Sequence, residues 1–432
     1  MTISAILYIA TGLLCLVCET KRILKERRLS MIAISLFFFG FLCCIIPGLI
    51  VYNNYEIKNS SNSDFVILTS YILTLITYIS LRIGYFHERR KVAHINEQIH
   101  REGNKNILLS AFVFLCVSFI ALYLWASGYG GLHSVMLLGN QIRASFVEST
   151  NSFVFFKHFV PISIVSSLLM YTDLFVNNTR EHRFLKYILL FVSIIISIVY
   201  IIANDGRMLA GTYFLYFILI SFKKKFEIEK QPVASLMLRS TLVICFIFFI
   251  ILSSERWFSN LRELEASSSE SKTIIDVIMS EFHFIVSGLY SCINDSFNGI
   301  YHFTIFNDLL NGVFAWLPTS LKPIILDDVW DINTKILNDD GYGQSPTSIV
   351  AQSFYDLHIL GVVVIPYFYA RVIAKIEKAL DGNKSTFGLV LYTTLAFYFG
   401  KGMAYFSIYN IMINLFFIVF SWILYKSFLN KI

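Results

Sequence analysis

Long uninterrupted apolar runs dominate this chain and limit what it can fold into. Stretches such as Tyr187 to Ala203 and Leu415 to Tyr425 carry almost no charge and do not alternate with polar residues. In lipid every backbone N–H and C=O must find its partner inside the segment, so a run of roughly 20 apolar residues is read as a spanning helix. A barrel would show short segments of alternating polarity instead. The whole chain of 432 residues, 56% hydrophobic and only 15% charged, is too apolar for a soluble globular protein of this size. The expected fold is all-α: a polytopic transmembrane helical bundle forming a single integral membrane domain over 1–432.

Eleven spans are expected, near 2–19, 30–52, 64–86, 107–126, 156–176, 187–203, 208–221, 236–253, 347–370, 385–400 and 407–425. The first run has no basic residues ahead of it and is read as a retained helix rather than a signal peptide. Six of the seven cysteines fall inside apolar runs, so no disulfide framework is implied. Lys and Arg alternate from loop to loop. The clusters beginning at Lys21, Arg89, Arg180, Lys223, Arg371 and Lys426 together hold 24 of the 35 cations. The positive-inside rule makes these loops cytoplasmic and places the C-terminus with them. The opposite face carries two enlarged loops, 127–155 and 254–346. The longer one has apolar residues at helical spacing (Ile274, Ile275, Ile278, Phe282, Ile285) and an aromatic stretch from Phe297 to Trp316, read as short helices lying along the interface or partly re-entering it.

Cations on that sparsely charged exterior face are the first candidates for a site. Arg207 ends the tight hairpin Asn204-Asp-Gly-Arg207, and Arg143, Arg256, Arg262 and Lys401 lie on the same side. A guanidinium offers a planar pair of donors that fits a diphosphate. Asp327, Asp328, Asp331, Asp339 and Asp340 are spaced poorly for a metal clamp, so no metal is expected. His283 and His302 are read as packing residues among aromatics. His358 differs because Gln352 and Tyr355 precede it at successive i+3 steps near the exterior end of a span. No phosphate-cradling glycine motif is present, which leaves no nucleotide cofactor and no nucleic-acid partner, and Asp173 and Arg82 near span ends are read as interfacial.

The segment Asp339-Asp-Gly-Tyr-Gly-Gln-Ser-Pro-Thr-Ser-Ile-Val-Ala-Gln-Ser-Phe-Tyr-Asp-Leu-His-Ile-Leu-Gly361, the Asn204–Arg207 hairpin and the two enlarged loops together resemble the Wzy-type O-antigen or oligosaccharide repeat-unit polymerases. That family's spacing of an arginine eleven positions before a glycine is not matched, since Val154, Ile218, Ser267 and Thr273 stand there. The resemblance implies a bacterial inner-membrane glycosyltransferase active at the periplasmic face. Its donor and acceptor would be undecaprenyl-diphosphate-linked oligosaccharides in the membrane lipid, and a chain-length regulator protein would be a further partner. Within that implied role, Arg143, Arg207, Arg256, Arg262, Gln352, Tyr355 and Lys401 are expected to bind substrate, with His358 as an acid–base candidate. An O-antigen ligase and, in a different class, a lipid-linked oligosaccharide flippase are the rival readings.

Overall fold

The computed structural model describes residues 2–53, 63–89, 104–143, 147–204, 207–232, 282–317, 321–323, 326–337, 345–381 and 385–429. These residues are helical almost throughout. There is no strand among them, only an isolated antiparallel bridge between Thr347 and Phe406. Among the described residues, eight helices are long and apolar enough to cross a membrane: Ile3–Glu26, Met31–Tyr52, Asp64–Glu88, Ile107–Ser127, Ser152–Val176, Arg183–Ala203, Ile349–Leu380 and Ile408–Ser427. Of the eleven expected spans, 208–221 and 385–400 form helices of only 17 and 16 residues, and 236–253 lies outside the described residues.

The chain divides into two compact units. One comprises Met1–Asn96, Ser269–Gly382 and Leu395–Met412; the other comprises Glu97–Ser268, Asn383–Thr394 and Ile413–Ile432. In the first, helices Asp64–Arg89 and Ile349–Asp381 run side by side. They are pinned by Arg371 donating to Glu88 at 2.8 Å and by the His87 ring meeting the Tyr367 hydroxyl at 2.6 Å. Arg28 holds the buried Glu377 in the same way, at 2.7 Å. The helix Phe284–Phe297 belongs to the expected set of interfacial helices, yet its residues from Phe284 to Ile293 are all buried. Its apolar side chains pack inside this unit, with Tyr290 fully enclosed, while its polar last turn, Asn294 to Ser296, is only half-buried.

The second unit is stitched by small hydroxyl residues, which let helices approach closely and bond across where lipid offers no partner. Ser166 meets Ser193 and Ser197 meets Ser163, both at 2.9 Å, and the Tyr213 hydroxyl donates to Ser167 at 2.8 Å. Asp173, expected near a span end, is buried and ion-paired at 2.5 Å with an equally buried Lys186. Arg82, in the first unit, is half-buried and faces Glu19 at 3.5 Å.

Candidate functional site

The helix Ile349–Asp381 is interrupted by its own backbone. Leu357 and His358 leave helical geometry, and His358 takes a positive φ (φ 53°, ψ −142°), a conformation costing a non-glycine residue about 1–3 kcal/mol. The break folds the chain so that a Cβ at Gly361 would stand 1.9 Å from the Ser353 carbonyl oxygen, and only glycine fits. Polar residues rarely persist in a membrane helix without a task, and here they cluster just before the break.

A buried layer lies beneath. Asp308 and Asp356 are both fully enclosed. Gln352 donates to Asp308 Oδ2 at 2.5 Å and reaches Asp356 Oδ1 at 3.4 Å, while the Thr347 hydroxyl donates to Gln352 Oε1 at 3.0 Å. The Thr304 hydroxyl donates to Asp356 Oδ1 at 2.7 Å. That leaves Asp308 Oδ1 and Asp356 Oδ2 buried without a hydrogen-bond partner among the described residues, while Gln352 Nε2 reaches both carboxyls. Burial first, and the neighbouring Asp356 second, push the Asp308 carboxyl up to about 10. It is therefore a neutral acid at physiological pH.

Above this layer is a part-exposed one. His302 Nε2 meets Asp295 Oδ2 at 3.1 Å, with side chains 22% and 23% exposed. A carboxylate on one ring nitrogen fixes the tautomer and leaves the other nitrogen free to exchange a proton. The His302 ring lies 5.5 Å from that of Tyr355, and the His358 ring is bracketed by Tyr301, Phe303 and Phe354 at 5.0–5.1 Å. The Tyr355 hydroxyl and His358 Nε2 have no hydrogen-bond partner among the described residues. The buried layer holds this loop in place, since Asp356 grips Thr304, two residues beyond His302.

The structure thus brings Gln352, Tyr355 and His358 together. It adds Asp295, His302, Thr304, Asp308 and Asp356, of which the sequence singles out only His302, and that as a packing residue. Lys401 approaches the same end: its turn is tied to the start of the kinked helix by Ile349 donating to the Met403 carbonyl at 3.0 Å and Phe406 to that of Thr347 at 2.8 Å. Its ammonium lies 5.2 Å from the Tyr405 ring centre. Arg143 ends the helix Leu132–Arg143, and Arg207 begins the helix Arg207–Lys223, both in the second unit. Gly139 abuts the Ala203 carbonyl, so these two arginines share one end of that unit. Arg256 and Arg262 lie outside the described residues.

The acidic loop does structural work. Asp328 and Asp331 accept each other's backbone N–H at 2.9 and 3.1 Å, capping the helix Val329–Leu337, and Asp327 pairs with Lys335. Burial pushes the Asp328 carboxyl up to about 6. Asp339 and Asp340 lie outside the described residues. No group of three or more His, Cys, Asp or Glu converges on a metal position among the described residues. Compared with models of known protein families, with curated proteins and with solved structures, the chain matches none.

Proposed function

We propose that this protein is an inner-membrane glycosyltransferase that joins undecaprenyl-diphosphate-linked oligosaccharide repeat units into a surface polysaccharide at the periplasmic face. The observation that carries the reading is the His302–Asp295 pair, accessible and ringed by aromatic side chains at the broken end of a membrane helix. Aromatic faces suit sugar rings, and a polar site at the end of a membrane helix suits a substrate held by lipid.

In the proposed reaction an acceptor hydroxyl attacks the donor's anomeric carbon. A new C–O bond forms as the bond from that carbon to the diphosphate oxygen breaks, and His302 takes the hydroxyl proton while Asp295 steadies the imidazolium. The departing lipid diphosphate gathers negative charge, which fixed cations stabilise. Lys401, in the same unit as His302, is assigned that role, and Arg143, Arg207, Arg256 and Arg262 keep the diphosphate-binding role expected from the sequence. Gln352 and Tyr355 position, rather than react.

The test is polymerisation of lipid-linked repeats by purified protein in liposomes. His302→Gln should slow it by roughly a hundredfold to ten-thousandfold, the usual span for a general base, at unchanged protein abundance. Wild-type turnover in the His302→Gln protein would end the assignment. In cells, core bearing a single repeat after gene deletion identifies a polymerase; no repeat on core, with long lipid-linked chains retained, identifies a ligase. The two carboxyls of Asp308 and Asp356, both fully buried against Gln352, favour a second reading, a proton-coupled flippase, in which case deletion leaves the repeats on the cytoplasmic leaflet.

A further inference from the structure

The short helix Ile305–Val313 is built inside out. Its outward side chains are Phe306 (74% exposed), Val313 (71%), Leu309 and Leu310, spaced as one helical face. Its polar residues turn inward: Asp308 into the buried carboxyl pair, and Asn307 and Asn311 onto the carbonyls of Asp327 and Leu326 at 3.3 and 2.8 Å. A helix facing water shows the opposite arrangement. Nine residues span only about 13 Å, less than half of a hydrocarbon core, so this helix does not cross a bilayer.

The surrounding contacts say what covers the face. Just ahead of the helix, the Phe297 ring lies 4.9 Å from that of Phe65, which heads an exposed apolar stripe (Phe65, Leu68, Ile72) on the spanning helix Asp64–Glu88. Just after it, the Trp316 indole donates to the Met412 carbonyl at 2.6 Å, and the Lys322 ammonium sits 3.3 Å from the Tyr409 hydroxyl, both partners on the spanning helix Ile408–Ser427. Trp and Lys are the side chains that settle at the headgroup level. The exposed face therefore continues the lipid-facing surface of the spans and stops at an interfacial belt.

We infer that helix Ile305–Val313 is inserted part-way into one leaflet, with Phe306, Leu309, Leu310 and Val313 among the acyl chains and Asp308 on its protein-facing side. The insertion puts His302, three residues ahead of the helix, beside the bilayer surface. Resting on the function proposed above, this means that a lipid-linked sugar reaches the His302–Asp295 pair by sideways diffusion and keeps its tail in the membrane.

A genetically encoded fluorescent residue tests the insertion without touching the native cysteines. Full-length Phe306→acridonylalanine and Val313→acridonylalanine are reconstituted in phosphatidylethanolamine/phosphatidylglycerol vesicles and quenched either by doxyl-labelled lipid or by aqueous iodide. Lys335→acridonylalanine, at an exposed position of helix Val329–Leu337, serves as the water-facing control. At 306 and 313 doxyl lipid should quench several-fold more than iodide, with the order reversed at 335. Iodide quenching at 306 and 313 equal to that at 335 would put the helix in water, and quenching by neither agent would mean that a second copy or another protein covers it. Either result overturns the inference. Because the readout needs no substrate, a failed polymerisation assay leaves it intact.

Discussion

Replacing Asp308 by Asn should make the protein more stable at neutral and alkaline pH, which is unusual for a substitution at a fully buried carboxyl. An unfolded Asp ionises near 4, whereas in the fold Asp308 holds its proton up to about 10. Folding at pH 7 therefore requires proton uptake across about three pH units, which at 1.36 kcal/mol per unit opposes folding by up to about 4 kcal/mol. The sign follows: the folded value is raised, so the contribution is fully present below about pH 4 and is lost as pH rises towards 10. Asn reproduces the neutral acid. Its carbonyl can accept from Gln352 and its amide can donate to Asp356, with nothing to protonate. Thermal unfolding of the detergent-solubilised protein at pH 6, 7.5 and 9 should show the Asp308→Asn variant gaining on wild type by about 1.4 kcal/mol for each pH unit. Ionisation of Asp328, pushed up to about 6, is common to both proteins and cancels in the difference. Asp308→Ala should do the reverse, costing about 1–3 kcal/mol because the buried Gln352 amide loses its acceptor. If Asp308→Asn at pH 7.5 is destabilised as much as Asp308→Ala, the carboxyl is ionised in the fold and the neutral-acid account is wrong.

Three further outcomes are expected. Gly361→Ala should reduce folded protein in the membrane and lower the unfolding temperature, since its Cβ would collide with backbone rather than with a movable side chain; unchanged expression and melting would show that the break at Leu357–His358 is dispensable. Arg207→Ala should remove polymer at normal protein abundance, with a loss of roughly 3–5 kcal/mol in transition-state stabilisation, and Arg207→Lys should restore only part because an ammonium cannot make the paired contact; full-length polysaccharide from the alanine strain would end its role as a diphosphate ligand. Polymerisation in detergent should survive EDTA, and loss with rescue by Mg²⁺ or Mn²⁺ would turn Asp327, Asp328 and Asp331 from helix-capping residues into ligands.

The helices were legible because the bilayer demands long apolar runs, and a run such as Tyr187 to Ala203 admits few other readings. Gln352, Tyr355 and His358 were legible too, as polar residues recurring at helical spacing in an otherwise apolar stretch. Their partners were not. Gln352 and Asp308 lie 44 positions apart, and no local pattern announces that their side chains meet. The break at Leu357–His358 has neither proline nor glycine at its centre, although Pro366 lies further along the same helix without leaving helical geometry. What holds the break is tertiary: the close pass of Gly361 over Ser353 and the polar grip of Asp356 on Thr304.

The helix Ile305–Val313 shows why a visible pattern can still mislead. Its amphipathic spacing is plain in the sequence, but periodicity marks two faces without saying which medium each one meets. Under the ordinary soluble rule Asp308 would point to water as a solvated carboxylate. The structure turns that face inward, and the same inversion accounts for the proton on Asp308, the pairing with Asp356 and the hold on Thr304 that sets the His302 loop. A charged Asp308 would be an ion held in a dry interior beside a second carboxyl, where burial penalises the charge most. The neutral acid is thus the form that lets one helix present hydrocarbon outward and a fixed hydrogen-bonding surface inward, so the site's rigidity and its placement at the membrane share one cause.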